Sequence, residues 1–222
     1  MMTIHDLEMG NRMDERRKMI EEQLVPRGIK NKAVLQSMLT VPRHRFVPGQ
    51  LQAYAYHDGP LSIGKGQTIS QPYIVALMAE ALEPSPTDRV LEIGTGSGYA
   101  AAVLSCLVST VYTMERLETL AQEAQSRFLE LNYDNIKVRI GDGTKGWPEE
   151  APFDGILVSA GAPVVPDSLC SQLKPGGRLV IPVGGKGYQE LVRVRQKSPN
   201  KFDREYLGAV CFVPLIGEEG WE

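Results

Sequence analysis

The spacing of apolar and polar positions changes character once along the chain, near residue 72. Before that point, residues 12 to 25 set Met13, Met19, Ile20 and Leu24 among Arg16, Arg17 and Gln23. This amphipathic pattern predicts a helix that stops at Pro26 and Gly28. A second short helix is predicted over residues 31 to 40, with Asn31 as its cap and Val34, Leu35 and Met38 facing inward. From Pro42 to Gln71 the chain is dense in Gly and Pro and reads as one long loop rather than regular structure. A loop of that length inside a compact domain points to function.

From Pro72 onward apolar runs of two lengths alternate. Helices are predicted over Pro72 to Leu82, Gly98 to Leu107, Leu117 to Leu131 and Ser168 to Leu173. Strands are predicted over Arg89 to Ile93, Thr110 to Met114, Ile136 to Ile140, Phe153 to Ser159 and Arg178 to Pro182, with two final ones over Leu191 to Gln196 and Gly208 to Val213. Strands alternating with helices imply right-handed crossovers and a parallel sheet covered on both faces. The last two strands have little helix between them, which suggests a mixed edge. The expected fold is α/β, doubly wound and mostly parallel, with an N-terminal helical extension. A length of 222 residues fits a single domain, here 1–222, in which 12–71 carries the helices and the loop and 72–222 the α/β core.

Composition narrows the function. A net charge of -3 argues against a nucleic-acid-binding face, because phosphate affinity rests on clustered Lys and Arg. Cys106, Cys170 and Cys211 show neither CxxC nor Cys/His spacing, so free thiols and no metal are expected. The amino terminus lacks an apolar core of the signal-peptide kind, and no apolar run nears the ~20 residues of a membrane span. A cytoplasmic protein with no membrane partner is expected, and nothing in the sequence demands an assembly beyond the monomer.

Three features fall at consecutive strand ends. After the first strand of the α/β core come Gly94, Gly96 and Gly98, which let the backbone turn sharply and approach a ligand. Alone this loop fits a dinucleotide, S-adenosylmethionine or a tight turn. Tyr99 stands where the dinucleotide fingerprint needs glycine. After the second strand comes Glu115, suited to accept from both ribose hydroxyls of an adenosine or, more plainly, to cap the following helix. After the third comes Gly141-Asp142-Gly143, a turn by itself. Ligands of open α/β sheets lie at the carboxyl ends of the strands, so together the three read as walls of one adenosine pocket.

At this point the chain resembles the class I S-adenosylmethionine-dependent methyltransferases, and segment by segment the protein-L-isoaspartate O-methyltransferase family. The most specific stretch is Gly64 to Tyr73, GKGQTISQPY. Others are Val41-Pro42-Arg43 through Phe46-Val47, LEIGTGSGY, GDG, Phe153-Asp154-Gly155-Ile156, Leu173 to Gly177 and Phe212 to Leu215, in order over nearly the whole chain from about residue 16. The resemblance implies methyl transfer from S-adenosylmethionine to the free carboxylate of L-isoaspartyl residues in damaged peptides and proteins, leaving S-adenosylhomocysteine. It implies Ser70 as the active-site serine, with Thr68 and Ile69 lining the cleft. It places Gly94, Gly96, Ser97 and Gly98 on the methionine portion, Glu115 on the ribose, and Asp142 and Gly143 beside the adenine. It also implies a seven-stranded sheet with its last strands ordered differently from most methyltransferases.

That chemistry asks for few groups. An isoaspartyl carboxylate is ionised near neutral pH and is already the nucleophile, and a sulfonium methyl needs no metal to activate it. His5, His44 and His57 are candidates for catalysis by residue type, but His44, between Arg43 and Arg45, reads as a polar surface or loop contact. Ser70 has a second role open to it, as cap of the helix at Pro72. A methyltransferase acting on a nucleic-acid nitrogen would carry Asn/Asp-Pro-Pro-aromatic after the fourth strand, where this chain has Ser159-Ala-Gly-Ala-Pro163. A nicotinamide dehydrogenase is undercut by Tyr99, and a cofactor-binding module without catalysis by the intact Ser70 loop.

Overall fold

A computed structural model describes residues 12–198 and 201–222; His5 lies outside them. Helix α1 (Met13–Met19) continues through a π-helical turn (Ile20–Leu24) and a 3-10 turn (Val25–Arg27), and Gly28 ends it at φ 96°. The Asn31 side chain accepts from the Ala33 and Val34 amides and so starts α2 (Lys32–Thr40), which buries Val34 and Met38. Arg16 on α1 is itself buried. Its guanidinium donates to the Leu39 and Thr40 carbonyls and to the Tyr56 hydroxyl, tying α1 to the end of α2.

The Gly- and Pro-rich stretch is more regular than its composition suggests. After two 3-10 turns (Arg43–Phe46 and Gly49–Tyr54) it forms an antiparallel hairpin of β1 (Leu61–Gly64) and β2 (Gln67–Ile69). Lys65 and Gly66 both sit at positive φ, 53° and 71°, the backbone of a tight hairpin turn. Lysine at the first of those positions hides the turn from a reading that looks for Asn-Gly or Asp-Gly. His44 is a buried loop contact whose Nδ1 lies 2.7 Å from the Tyr56 hydroxyl, and not a surface group.

Helix α3 (Pro72–Ala81) leads into β3 (Arg89–Ile93), followed by α4 (Tyr99–Ser105), β4 (Thr110–Glu115), α5 (Glu118–Glu130), β5 (Ile136–Ile140), β6 (Phe153–Val158), α6 (Asp167–Ser171), β7 (Leu173–Gly185), β8 (Tyr188–Ser198) and β9 (Lys201–Val210). Seven strands make one sheet in the order β5-β4-β3-β6-β7-β8-β9. The first five of that order run parallel, and β8 and β9 each run antiparallel to the strand before. Beyond their first residues β3 and β4 are buried throughout, as strands covered on both faces must be. Val90 and Val111 face the cluster built by α1 to α4, while Leu91, Ile93, Tyr112 and Met114 face the other. The N-terminal helices thus share a core with α3 and α4.

The last three strands differ most from expectation, each being longer than its apolar run or displaced from it. β7 begins at Leu173, because Leu173 pairs with Phe153 before an irregularity at the Pro-Gly-Gly run restores the ladder at Arg178. The last strand is Lys201–Val210 and not 208 to 213. Gly208 is an interior position beside a bulge, with Leu191 paired to Gly208 and Val192 to Tyr206.

This topology fixes where a ligand goes. From β3 the chain moves outward through β4 and β5, then returns to the other side of β3 as β6. The crevice lies at the carboxyl ends of β3 and β6, where the winding reverses.

Candidate active site

The loop after β3 enters that crevice directly. The Gly94 and Thr95 amides both donate to the Met114 carbonyl, at 2.8 and 3.1 Å, folding the loop against the end of β4. Gly98 explains why the last glycine of the loop is needed. At φ 89° it begins α4, and a Cβ there would stand 2.6 Å from the Phe128 ring. The close packing that a dinucleotide fold assigns to a glycine at position 99 is supplied one residue earlier, and Tyr99 is buried in the core instead. Its ring lies under the Arg43 guanidinium, 4.8 Å away.

Glu115 ends β4 rather than following it. One carboxylate oxygen accepts from the Gly96 amide at 2.9 Å and the other from the Leu117 amide at 3.0 Å. The side chain therefore holds the residue that starts α5 and pins the glycine loop at once. Each oxygen keeps a lone pair for a further donor. Asp142 is engaged in the same way: Oδ1 accepts from the Thr144 amide and hydroxyl, and Oδ2 from the Glu218 amide. Burial pushes this carboxyl up, but the Glu218 and Thr144 donors outweigh it and hold it below the usual aspartate value. Three of its four acceptor positions are used, leaving one on Oδ2.

These elements line a cavity open to solvent on one side. Thr68, Ile69, Ser70, Gly94, Gly96, Ser97, Glu115 and Gly143 line it. Gly98 and Asp142 do not. The first packs behind the loop on Phe128, and the second stands behind Gly143 and fastens the C-terminal tail. Ser70 is not the cap of α3. Gln71 occupies that position with no side-chain cap bond, and the Ser70 hydroxyl has no hydrogen bond among the described residues. A second, uncharged groove runs alongside, between Pro60, Gln71, Ile74 and the segment Tyr188, Cys211, Phe212. The cavity and the groove meet at Thr68, Ser70, Ser159 and Val213.

Three contributors escape the sequence reading. Ser159, at the end of β6, faces both spaces. The tail supplies Leu215 and Ile216 to the cavity wall and is held by the Glu218 amide on Asp142, by Glu219 on Ser168, and by the Trp221 indole on the Gly161 carbonyl at 3.0 Å. Glu92 is the third. It is fully buried, lines the cavity, and has an Oε1 without a hydrogen-bond partner among the described residues. A carboxyl between Leu91 and Ile93 in a buried strand is the signal that could have exposed it. Burial pushes this group up to about 8.

The arrangement suits a cationic adenosyl ligand: open acceptors on Glu115 and a buried carboxyl, Glu92, in the wall beside the glycine loop. No group of three or more His, Cys, Asp or Glu among the described residues could hold a metal ion. Residues 14–220 match the profile of the Protein-L-isoaspartate(D-aspartate) O-methyltransferase family. The chain belongs to that family. It is 70% identical to the protein-L-isoaspartate O-methyltransferase of Pelotomaculum thermopropionicum, over 95% of this chain and 92% of that one. Identity is 58% to protein-L-isoaspartate O-methyltransferase 2 of Pelobacter propionicus, over 96% and 95%. A solved protein-L-isoaspartate O-methyltransferase superposes with TM-score 0.84 at 30% identity, over 92% of this chain and 67% of that one. A Plasmodium falciparum structure described as a member of the family, in complex with S-adenosyl-L-homocysteine, gives 0.77 at 26% identity, over 93% and 98%. The chain is thus a methyltransferase dependent on S-adenosylmethionine, and its acceptor is the isoaspartyl carboxylate of damaged proteins. Among the described residues no helix is long and apolar enough to cross a membrane.

Proposed function

We propose that the cavity and the groove divide the reaction between them, with Ser70 at the junction. S-adenosylmethionine supplies an activated methyl group. Gly94, Gly96 and Ser97 hold its methionine portion, Glu115 its ribose, and Asp142 with Gly143 its adenine, while Gly98 keeps the loop packed. Thr68 and Ile69 form the wall shared with the substrate. The isoaspartyl peptide lies in the uncharged groove, its carboxylate turned into the cavity. No general base is required, because the carboxylate arrives ionised. The protein's work is to align the acceptor oxygen with the methyl carbon and to exclude water, which in favourable cases lowers a barrier by roughly 7–11 kcal/mol. Ser70 donates to the carboxylate oxygen that does not attack. We place this activity in the cytoplasm, in a monomer that acts on peptides and proteins and not on nucleic acid.

The observation that carries this reading is the position of Ser70, which lines both spaces with an uncommitted hydroxyl. A hydrogen bond to a charged acceptor contributes roughly 1.5–3 kcal/mol. Ser70→Ala is expected to lower kcat on an isoaspartyl peptide by about 10- to 150-fold, with S-adenosylhomocysteine affinity by calorimetry within twofold of the parent. Unchanged kcat removes Ser70 from the reaction; lost cofactor affinity makes its role structural.

A further inference from the structure

Gln71 follows Ser70 and stands half-buried just before α3, where its carbonyl accepts from the Val75 amide at 3.1 Å. Its side chain is tied down at one end only. Nε2 donates to Oδ1 of Asp58 at 2.7 Å and makes a weaker contact with the Asp58 carbonyl at 3.5 Å. Asp58 is held in turn. Oδ1 also accepts from Nη1 of Arg27 at 3.1 Å, and Oδ2 from Nη2, while that guanidinium lies 5.1 Å over the Tyr73 ring. Oε1 of Gln71 has no hydrogen bond among the described residues. The side chain lines the groove beside Ser70, in a wall otherwise made of hydroxyl, thiol and apolar side chains.

A carboxamide can present either end to a ligand unless a neighbour decides, and here a carboxylate decides. An ionised carboxylate accepts and cannot donate, so it takes the amide end and leaves the carbonyl end for the groove. Among the lining side chains Gln71 alone is thus fixed as an acceptor, whereas the hydroxyls of Ser70, Ser159 and Tyr188 can turn either way. The donor that every peptide brings, whatever its sequence, is a main-chain N–H. We propose that Oε1 of Gln71 accepts the N–H of the isoaspartyl residue itself, with Asp58 and Arg27 as the positioning pair behind it. In an isoaspartyl residue that N–H and the methyl-accepting carboxylate stand on one carbon. In a normal aspartyl residue a methylene separates them. Neighbouring donor and acceptor on Ser70 and Gln71 therefore match neighbouring acceptor and donor on the substrate, and the match favours the damaged linkage over the normal one. The proposal rests on the assignment of the groove to the peptide.

A depsipeptide twin of an isoaspartyl peptide, in which an ester oxygen replaces the nitrogen of the isoaspartyl residue, removes this N–H and keeps the carboxylate. With the parent protein the ester should raise KM about 3- to 10-fold, the loss expected for one neutral hydrogen bond. Gln71→Met keeps the length of the side chain and lacks the carbonyl. It should raise KM for the amide peptide by a similar factor, with a smaller effect on kcat, and the ester twin should cost this variant nothing further. S-adenosylhomocysteine affinity by calorimetry should be unaffected. Asp58→Asn lets the Gln71 amide turn over, and should raise KM in the parent but not in Gln71→Met. An ester that costs the parent nothing, or costs both proteins the same, overturns the proposal and leaves the groove assignment standing. Effects of Asp58→Asn and Gln71→Met on KM that multiply independently overturn the positioning role of Asp58. Should Gln71→Met fail to fold, Gln71→Ala runs the same cycle. A folded parent that methylates neither peptide removes the function on which the proposal rests.

Discussion

Gly98→Ala is expected to destabilise the protein by roughly 2–5 kcal/mol, summed from a left-handed backbone forced on an L-residue (about 1–2) and overpacking (about 1–3). Gly98 stands at φ 89°, and an added Cβ would meet the Phe128 ring at 2.6 Å and the Ala124 Cβ at 3.4 Å. The ring cannot simply swing away. It is buried, and the Tyr133 ring stands edge-on against it at 6.3 Å. In a chain of this length the melting temperature should fall by about 5–20 °C. Because the strain sits in the turn that carries Gly94 and Gly96, cofactor affinity should fall with it. Circular dichroism melting of Gly98→Ala and of Gly98→Ala with Phe128→Leu separates the two causes. Trimming the ring should restore the packing share and leave the backbone share, so the double variant should melt between Gly98→Ala and the parent. A single variant that melts within a degree or two of the parent would show that the helix and the loop are not in contact as described.

The second large effect is expected at Glu115. Its carboxylate accepts from the Gly96 and Leu117 amides, so it shapes the glycine loop and the start of α5 even before any ligand contact. Glu115→Ala deprives both amides of a charged acceptor, and each such bond contributes roughly 1.5–3 kcal/mol. Part of that loss is recovered by water, because the alanine leaves the site open to the cavity. The expected outcome is at least a hundredfold loss of S-adenosylhomocysteine affinity by calorimetry, with a smaller drop in melting temperature. Glu115→Gln retains one acceptor and should fall between. Equal affinities for all three proteins would mean that Glu115 serves the fold alone.

The sequence made the site legible where its chemistry is local and the fold legible where its period is regular. Arg89–Ile93 and Ile136–Ile140 are delimited to the residue, because the first is rich in apolar residues and the second alternates apolar with basic ones, each over a short span. Gly94, Glu115 and Gly143 could be placed on one cavity because consecutive parallel strands bring their carboxyl ends together. What could not be read depends on pairing across the chain. The β1–β2 hairpin hides behind a lysine in its turn, and Gly208 looks like a strand boundary until its bulge partner on β8 is known. Asp142 shows the same limit within the site. Its residue type announces an acceptor, yet its occupants come from Thr144 and, across 76 positions, from the Glu218 amide. Glu92 was visible in the motif LEIG, but its importance lies in what its second oxygen lacks, and that is a property of the packed structure.

The account is tested most directly by methyl transfer to a matched pair of peptides, one isoaspartyl and one with the normal aspartyl linkage. Incubated with S-adenosylmethionine radiolabelled in its methyl group, the protein should label the isoaspartyl peptide alone, and mild alkali should release that label as methanol, as a carboxyl ester requires. Equal labelling of both peptides, or label that withstands alkali, would contradict it.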